Sequence, residues 1–274
     1  MPKIKEPKKL RKAAKDLLRL INKAVRDIEG ANIYPRGNVY LDKVLLGLLS
    51  KGFLVAKAVC ILVLNDLAEE AFGLSRTLVE ISLIGRYLIN KQTKNQMEVR
   101  AVRYTHYYAK VYSEWLKRAK RHYPSLKPGR NKSHKEFLRK ARKYRSPYHW
   151  TLPPPTKQQR KLLGTNVSMM AKELDQHEQI GGIPIKWEFD YDWIYFWTSQ
   201  YVHSTAWALN SHAVELRHPF RIHSNKSLDK NVPGLALFNA AIYLNKLLIT
   251  VYRGLGHDQP KVIMDKLGDL LKRM

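Results

Sequence analysis

Apolar residues recur every three or four positions along most of this chain, which is the period of an amphipathic α-helix. The clearest case is the segment 8–29, where Leu10, Ala14, Leu17 and Ile21 share one face and lysines and arginines cover the other. No segment shows sustained strand alternation, and no internal repeat is visible. The pattern predicts an all-α fold, an irregular bundle of long helices, at residues 8–29, 39–64, 66–90, 94–123, 132–143, 157–179, 190–211, 232–253 and 260–272.

Prolines, glycines and runs of charge divide these helices into four segments. We expect the second and third helices to be separated at Asn65 or Asp66, because both residue types favour helix ends. Prolines between Pro124 and Pro155 confine any helix there to about 132–143. The expected organisation is a basic amphipathic helix at 1–30, a first part of the helical core at 38–123, a basic, Pro-rich insert at 124–156 and a second part of the core at 157–274.

The composition indicates a folded protein with a buried core. Of the 274 residues, 45% are hydrophobic, which excludes global disorder. The single cysteine, Cys60, cannot form an internal disulfide, and its apolar neighbours indicate an inert buried thiol. The N-terminal residues are charged throughout and lack the apolar core of a secretory signal. We therefore expect a cytoplasmic protein.

The most apolar stretch, from Val44 to Leu64, is long enough to span a bilayer. It contains Lys51, Gly52 and Lys57, and each lysine would cost about 2.5–3.5 kcal/mol on membrane insertion. A core helix is the better interpretation, so a membrane is not an expected partner.

Two segments carry the whole net charge of +26. Residues 1–26 hold ten lysines and arginines against two carboxylates, a net of +8, and residues 86–161 hold twenty-two against three, a net of +19. The remainder is therefore close to neutral, which is typical of a polyanion binder with basic appendages. The basic face of the N-terminal helix is open to three interpretations: a solvated face on a docked helix, a phosphate contact or a membrane-surface contact.

The helix at 94–123 interleaves aromatic and basic residues, a combination that stacks bases and holds phosphates. We expect its aromatic face to point inward and its basic face outward. The like charges of the insert predict an exposed segment that becomes ordered on a polyanion. The candidate nucleic-acid-binding residues are Arg100, Arg103, Lys117, Arg118, Arg121, Arg130, Lys132, Arg139, Arg142 and Arg145.

A polar stripe crosses the aromatic helix at 190–211, which follows a short extended link expected over 183–190. Tyr195, Ser199 and His203 are spaced four residues apart, so they share one helix face. The aromatic residues around this stripe, which we expect to be buried, are Trp193, Phe196, Trp197, Tyr201 and Trp207.

The stripe needs partners, because an unpaired buried polar group costs about 1–3 kcal/mol. The helix at 66–90 supplies Arg76 and Glu80, which are four residues apart and able to pair. We predict that the two helices meet at these side chains. The candidate catalytic residues are therefore Arg76, Glu80, Tyr195, Ser199 and His203.

Several enzyme signatures are missing from the sequence. It contains no phosphate-binding loop, no dinucleotide-binding glycine motif, no zinc-protease motif and no nucleophile elbow. One cysteine, scattered histidines and few carboxylates predict no metal site and no cofactor. Ser199 beside His203 would permit a hydroxyl nucleophile with Glu80 orienting the base, but no oxyanion-stabilising loop is visible.

A metal-independent ribonuclease is an alternative. HEPN-type ribonucleases have an arginine followed, after four to six residues, by a histidine. Three pairs in this chain match that spacing: Arg100–His106, Arg142–His149 and Arg217–His223. Chance alone predicts about two such pairs in a chain of this composition. Only Arg100–His106 lies on a well-defined predicted helix. In this hypothesis His203 or His106 acts as the acid and base, and Arg76 or Arg100 stabilises the phosphate charge.

The motif L-x-R-x-L-x-E at Leu74–Glu80, together with Y-x-x-x-S-x-x-x-H at Tyr195–His203, resembles a bacterial helical family, domain of unknown function 5677. The resemblance covers residues 40–112 and 190–215. It implies a bacterial or phage-related cytosolic helical protein, and it implies no established activity.

Three hypotheses follow from these observations. The first is a nucleic-acid-binding helical protein of bacterial or phage-defence type, whose partner is RNA or single-stranded DNA. The second is the metal-independent ribonuclease, a toxin or antiviral defence effector. The third is a structural or adaptor protein with a protein partner or a second copy of itself, in which the polar stripe only holds the helices together.

Overall fold

The computed structural model describes residues 7–30, 39–90, 93–125, 135–136, 139, 166–176, 179–180, 183–184, 186–202, 231–258 and 261–273. Eight long helices lie in these ranges: α1 (Pro7–Gly30), α2 (Val39–Leu64), α3 (Ala68–Ile89), α4 (Lys94–His122), α5 (Asn166–Asp175), α6 (Trp187–Val202), α7 (Val232–Leu255) and α8 (Lys261–Arg273). A pair of two-residue antiparallel strands, β1 (Gln179–Ile180) and β2 (Ile183–Pro184), precedes α6. The all-α bundle predicted from the periodicity is therefore confirmed.

The helices expected at 8–29, 39–64, 66–90, 94–123, 232–253 and 260–272 are present, with ends within two residues of the prediction. The break after α2 is at the predicted place. Asp66 has a φ of 62°, in the left-handed region, and the Leu67 N–H donates to the Leu62 carbonyl at 2.9 Å. This geometry is the Schellman ending of a helix.

The prediction between 157 and 190 was partly wrong: residues 166–175 are helical as expected, 157–165 lie outside the described residues, and the helix boundaries that follow differ from the prediction. α5 ends at Asp175, and Gln179 lies in a strand rather than in the expected helix. α6 begins at Trp187, inside the link that we expected to be extended. The reason is the Asp175 carboxylate, which accepts hydrogen bonds from the Trp187 and Glu188 N–H groups and so satisfies the first turn of α6. The helix expected at 132–143 lies almost wholly outside the described residues.

The chain divides into two compact units. Unit one consists of residues 1–34, 45–87 and 167–274, and unit two of residues 35–44 and 88–166. In unit one, α1 packs against α7 and α8. Its apolar face is buried and its basic residues face outward. Of the interpretations of this helix, docking on the core is therefore the one that its packing supports.

The core of unit one brings α2, α3 and α7 into close contact. The Ser82 hydroxyl donates to the Tyr243 carbonyl at 2.8 Å, and the Asn239 amide donates to the Ser75 hydroxyl at 3.3 Å, so polar bonds join α3 to α7. Gly52 on α2 faces the Leu247 side chain so closely that an added Cβ would overlap it. Cys60 is fully buried as expected, and burial raises the pKa of its thiol to about 12.

Among the described helices, α2 and α7 are long and apolar enough to cross a membrane by length and composition. This is weak support for a membrane protein, because core helices of soluble proteins meet the same criteria. Half of the most apolar window of α2 and 61% of that of α7 are buried against other parts of the protein. Leu54 and Ile61 of α2 stay exposed. The expectation that no membrane is involved stays a prediction.

Candidate functional site

Helix α4 of unit two has a firmly fixed beginning. Thr93 and Gln96 form a reciprocal capping box, in which the Thr93 Oγ1 accepts from the Gln96 N–H at 3.3 Å and the Gln96 Oε1 accepts from the Thr93 N–H at 3.0 Å. One turn later, the Glu98 carboxylate accepts hydrogen bonds from the N–H groups of Tyr40 and Leu41, at 3.0 and 2.9 Å. Glu98 therefore caps the start of α2 and ties α4 to it.

The far end of α4 is exposed and carries four of the eight lysines and arginines of the helix. We call residues Trp115 to Tyr123 the α4 basic end. Its exposed side chains are Trp115, Lys117, Arg118, Lys120, Arg121, His122 and Tyr123. Trp115 is 54% exposed and Tyr123 67% exposed. Cations in the last turn also favour the helix itself, since they lie against the negative end of its dipole.

The exposure of the two aromatic side chains differs from the expected division of α4 into an aromatic inner face and a basic outer face. At the α4 basic end, aromatic and basic side chains are exposed together. A signal for this was present in the sequence: the positions three and seven after Trp115 are Arg118 and His122, so this tryptophan shares its helix face with two polar side chains.

The predicted nucleic-acid-binding residues separate into three groups. Lys117, Arg118 and Arg121 are exposed at the α4 basic end, and Arg139 is also exposed. Arg103 is half-buried, and Arg100 is only 1% exposed. The candidates Arg130, Lys132, Arg142 and Arg145 lie outside the described residues.

Arg100 therefore does not belong to an exposed phosphate-binding face. It lies next to Ala101, which is also fully buried, so the protein encloses this turn of α4. The sequence could not show this, because arginine is rarely buried and its burial depends on partners from elsewhere in the fold. A residue in this position contributes to the packing of α4.

His106, the other half of the arginine–histidine pair on α4, is also buried, at 7% exposure. Its Nδ1 lies 2.7 Å from the Val102 carbonyl oxygen. A carbonyl can only accept, so Nδ1 of His106 carries a proton and donates it in this contact. Burial also raises the pKa of the nearby Tyr104. Neither Arg100 nor His106 is open to a nucleic-acid strand in this conformation.

The predicted meeting of α3 and α6 is present in unit one. The Arg76 Nε donates to the Glu80 Oε1 at 2.8 Å. The Cζ atom of Arg76 lies 3.9 Å from the ring centre of Tyr195, which makes a cation–π contact between the helices. The Tyr195 ring in turn lies 5.6 Å from the ring of Tyr191. All these groups are half-buried except Tyr191, which is buried.

The rest of the stripe gives no catalytic arrangement among the described residues. The Ser199 hydroxyl donates to the Phe196 carbonyl of its own helix at 3.2 Å, and His203 lies outside the described residues. What the described geometry can do is hold α3 against α6. A hydroxyl bonded to a backbone carbonyl is not an activated nucleophile.

The expected burial of the aromatic residues on α6 was partly wrong. Phe196 is 56% exposed and Trp193 is also exposed, whereas Trp197 is half-buried. The inward face of α6 consists of Trp187, Tyr191, Ile194 and Thr198 instead. These four are spaced by three and four residues, so the helix has a regular inner face that the aromatic richness of the sequence concealed. For the other two aromatic residues of that set, Tyr201 and Trp207, no side-chain position is described.

A second cationic contact joins α6 to α7, and the sequence did not predict it. The Lys246 ammonium of α7 lies 3.0 Å from the Asp190 carboxylate and over the rings of Trp187 and Tyr243, at 4.3 and 4.7 Å. Burial raises the pKa of Tyr243 far above its usual value, and the Asp190 carboxylate adds to this rise. Nothing in the spacing of these residues indicates the contact, because Asp190 and Lys246 are 56 positions apart.

No group of three histidine, cysteine or carboxylate side chains able to hold a metal ion occurs within the ranges that the structure describes. A pocket of about 150 Å³ lies between α6 and α7, bordered by the exposed rings of Phe189, Trp193 and Phe238. It is largely apolar, and its lining includes no serine, cysteine or histidine.

The model of a protein family described as "Family of unknown function (DUF5677)" matches residues 42–218 of the chain. The match covers more than half of the chain and confirms the resemblance expected from the two motifs. It includes the polar stripe, its partners on α3 and the whole of α4. No curated protein matches the chain, and no solved structure matches it.

Proposed function

Because the chain belongs to DUF5677, a family whose description assigns no activity, we propose a function from its own residues: the protein binds nucleic acid, RNA or single-stranded DNA, through its basic segments. The observation that carries this proposal is the α4 basic end, where Lys117, Arg118 and Arg121 are exposed together with Trp115 and Tyr123.

The charge distribution supports the proposal. The segment 86–161, which contains α4, has a net charge of +19, although it makes up less than a third of the chain. Concentrated positive charge attracts a polyanion over distances of about 10 Å at moderate salt and increases the rate of encounter. Each phosphate that a lysine or arginine neutralises releases condensed counterions, which favours binding at low salt.

The exposed side chains at the α4 basic end are suited to both parts of a nucleotide. Lysine and arginine hold phosphates, and arginine can do so with two parallel hydrogen bonds. The exposed rings of Trp115 and Tyr123 provide apolar faces for bases. Arg100, in contrast, is not part of the proposed surface, because it is buried. The basic residues of the insert remain candidate phosphate contacts by their sequence alone.

The proposal is tested by measuring the affinity of the purified full-length protein for labelled RNA, single-stranded DNA and duplex DNA at two salt concentrations. The test variant carries Lys117→Gln, Arg118→Gln and Arg121→Gln. The matched control carries Lys261→Gln, Lys266→Gln and Lys272→Gln, which removes the same charge from exposed positions of α8. We expect at least a ten-fold loss of affinity in the first variant only. Equal affinities of the two variants would contradict the proposal.

The same incubations, carried out in EDTA, test the ribonuclease alternative. Metal-independent cleavage that disappears in folded His203→Ala or His106→Ala protein would make this an enzyme. The phage-defence or toxin role and the cytoplasmic location are proposals that follow only from the family resemblance and the composition. Neither is needed for the binding experiment.

A further inference from the structure

We infer that the α4 basic end binds bases as well as phosphates, and that its ligand is a single strand with unpaired bases rather than a duplex. The base-binding element is a row of three planar side chains, Trp115, Arg118 and His122, which we call the planar row. This inference rests on the proposed function, because it names the ligand class and the contact residues of the same surface.

The helix geometry puts the planar row on one face. Positions three and seven after Trp115 lie within about a sixth of the helix circumference, since each residue turns the helix by about 100°. The rise of about 1.5 Å per residue separates the three side chains by about 4.5 and 6 Å along the axis. All three are exposed on a continuous helix, Lys94–His122. The planar row therefore presents an indole, a guanidinium and an imidazole in sequence to solvent.

These three groups are the side chains on which bases stack. An indole and an imidazole offer π faces, and the planar guanidinium of arginine stacks on rings as well. A single exposed tryptophan is common on protein surfaces and would carry no inference by itself. The informative observation is that Trp115 shares its face with two further planar side chains, Arg118 and His122, while the nearest carboxylate by helix geometry, that of Glu114, lies about 40° around the axis beyond Arg118.

Phosphate-binding side chains occupy the adjoining stripe of the helix. Arg121 lies about 60° and Lys117 about 100° around the helix axis from Arg118, and both are exposed. A strand running along α4 can therefore place its bases on the planar row while its phosphates lie over the neighbouring stripe. A duplex cannot do this, because its base faces are stacked inside the helix and only base edges are open.

The decisive probe is an abasic strand, which has the phosphates of a single strand and lacks the bases. The experiment compares a short oligothymidine strand, an abasic strand of the same length and a duplex of that length. The variants are Trp115→Ala, Trp115→Phe and the control Trp193→Ala, which removes an exposed tryptophan from α6. All are measured as full-length protein at one salt concentration.

We expect Trp115→Ala to weaken binding of oligothymidine by about 5-fold to 100-fold, the range of a lost base–aromatic stack. It should leave the affinities for the abasic strand and the duplex unchanged within about two-fold. Trp115→Phe should recover most of the loss, because it restores a ring, and Trp193→Ala should have no effect.

Equal weakening of oligothymidine and abasic-strand binding by Trp115→Ala would overturn the inference, since the tryptophan would then act without bases. Unchanged oligothymidine binding in this variant would overturn it as well. Both results leave the proposed function standing, provided that the wild-type protein binds both strands in a salt-dependent way. If the wild-type protein binds neither strand, the proposed function fails and the inference fails with it.

Discussion

The guanidinium carbon of Arg76 lies 3.9 Å from the ring centre of Tyr195, across the contact between α3 and α6. Glu80 accepts a hydrogen bond from the Arg76 Nε and so orients the guanidinium over the ring. Arg76 and Glu80 keep 25% and 30% of their side chains exposed, which places the contact at the edge of the core. The contact thus joins two helices of unit one that are more than a hundred residues apart in sequence.

We predict that this contact stabilises the fold through the ring of Tyr195 rather than through its hydroxyl. Tyr195→Phe should leave the free energy of unfolding within about 0.5 kcal/mol of wild type, whereas Tyr195→Leu should lower it by about 1–2 kcal/mol. A double-mutant cycle with Arg76→Leu should give a coupling energy of about 0.5–2 kcal/mol. Zero coupling in urea unfolding would mean that the two side chains are neighbours without mutual stabilisation.

Gly52 and Gly47 on α2 should respond in opposite directions to the same substitution. An added Cβ at Gly52 would overlap the Leu247 side chain of α7, whereas nothing lies within 4 Å of a Cβ at Gly47. Gly47→Ala should raise stability by about 0.5–1 kcal/mol through helix propensity. Gly52→Ala should lower it by about 1–2 kcal/mol, because overpacking outweighs that gain. Thermal unfolding of both variants gives the sign, and stabilisation by Gly52→Ala would contradict the expected overpacking against Leu247.

Cys60 should make the protein less stable in alkali. Its thiol has an unperturbed pKa of 9.0, which burial raises to about 12 in the folded chain. Between these values the unfolded chain releases the proton and the folded chain keeps it, so the stabilisation present below pH 9 is lost as the pH rises towards 12. Because of this thiol, the free energy of unfolding should fall by up to about 1.4 kcal/mol for each pH unit in this range.

Unfolding by urea at several pH values measures this slope, with Cys60→Ala as the comparison. The variant should lose stability less steeply than wild type above pH 9, the unperturbed thiol pKa. Parallel curves would contradict a buried, protonated thiol. In the native protein at neutral pH, a thiol reagent should react with Cys60 only on unfolding.

Two arginines of the same helix, Arg100 and Arg118, should have opposite roles. Arg100 is buried, so Arg100→Ala should cost about 2 kcal/mol or more in stability and leave nucleic-acid affinity unchanged in the folded fraction. Arg118 is exposed, so Arg118→Ala should change stability by less than about 0.5 kcal/mol and weaken binding. Calorimetry and a binding titration on both variants test the pair. If Arg118→Ala lowered stability and Arg100→Ala weakened binding instead, Arg118 would be the buried residue and Arg100 the exposed one, which would contradict the orientation of α4.

The periodicity of apolar residues was sufficient to predict most of the helices. In α1, α2, α7 and α8 the apolar residues that face the core recur at helical spacing within the sequence of the helix itself. The Arg76–Glu80 pair was predictable for the same reason, since both residues lie on one helix. The predicted contact with Tyr195 required a further assumption, that polar groups on an aromatic helix find partners.

The predictions that were wrong have a different cause. In each case the local structure depends on residues that are distant in sequence. The start of α6 depends on the Asp175 carboxylate, and the burial of Arg100 depends on the surroundings of one turn of α4. Phe196 and Trp193 are exposed although aromatic residues favour burial, because only one face of α6 meets the core. The composition of a helix tells how much apolar surface it has, but it does not tell which face of the helix meets the core.

The most direct test of nucleic-acid binding by the α4 basic end is the dependence of affinity on salt. Affinity for a single strand is measured at a series of salt concentrations for the wild type, the variant with Lys117→Gln, Arg118→Gln and Arg121→Gln, and the α8 control with Lys261→Gln, Lys266→Gln and Lys272→Gln. Each phosphate contact on a single strand contributes about 0.7 to the log–log slope. We predict a slope shallower by about 2 for the α4 variant and an unchanged slope for the control. Identical slopes for all three proteins would contradict the account.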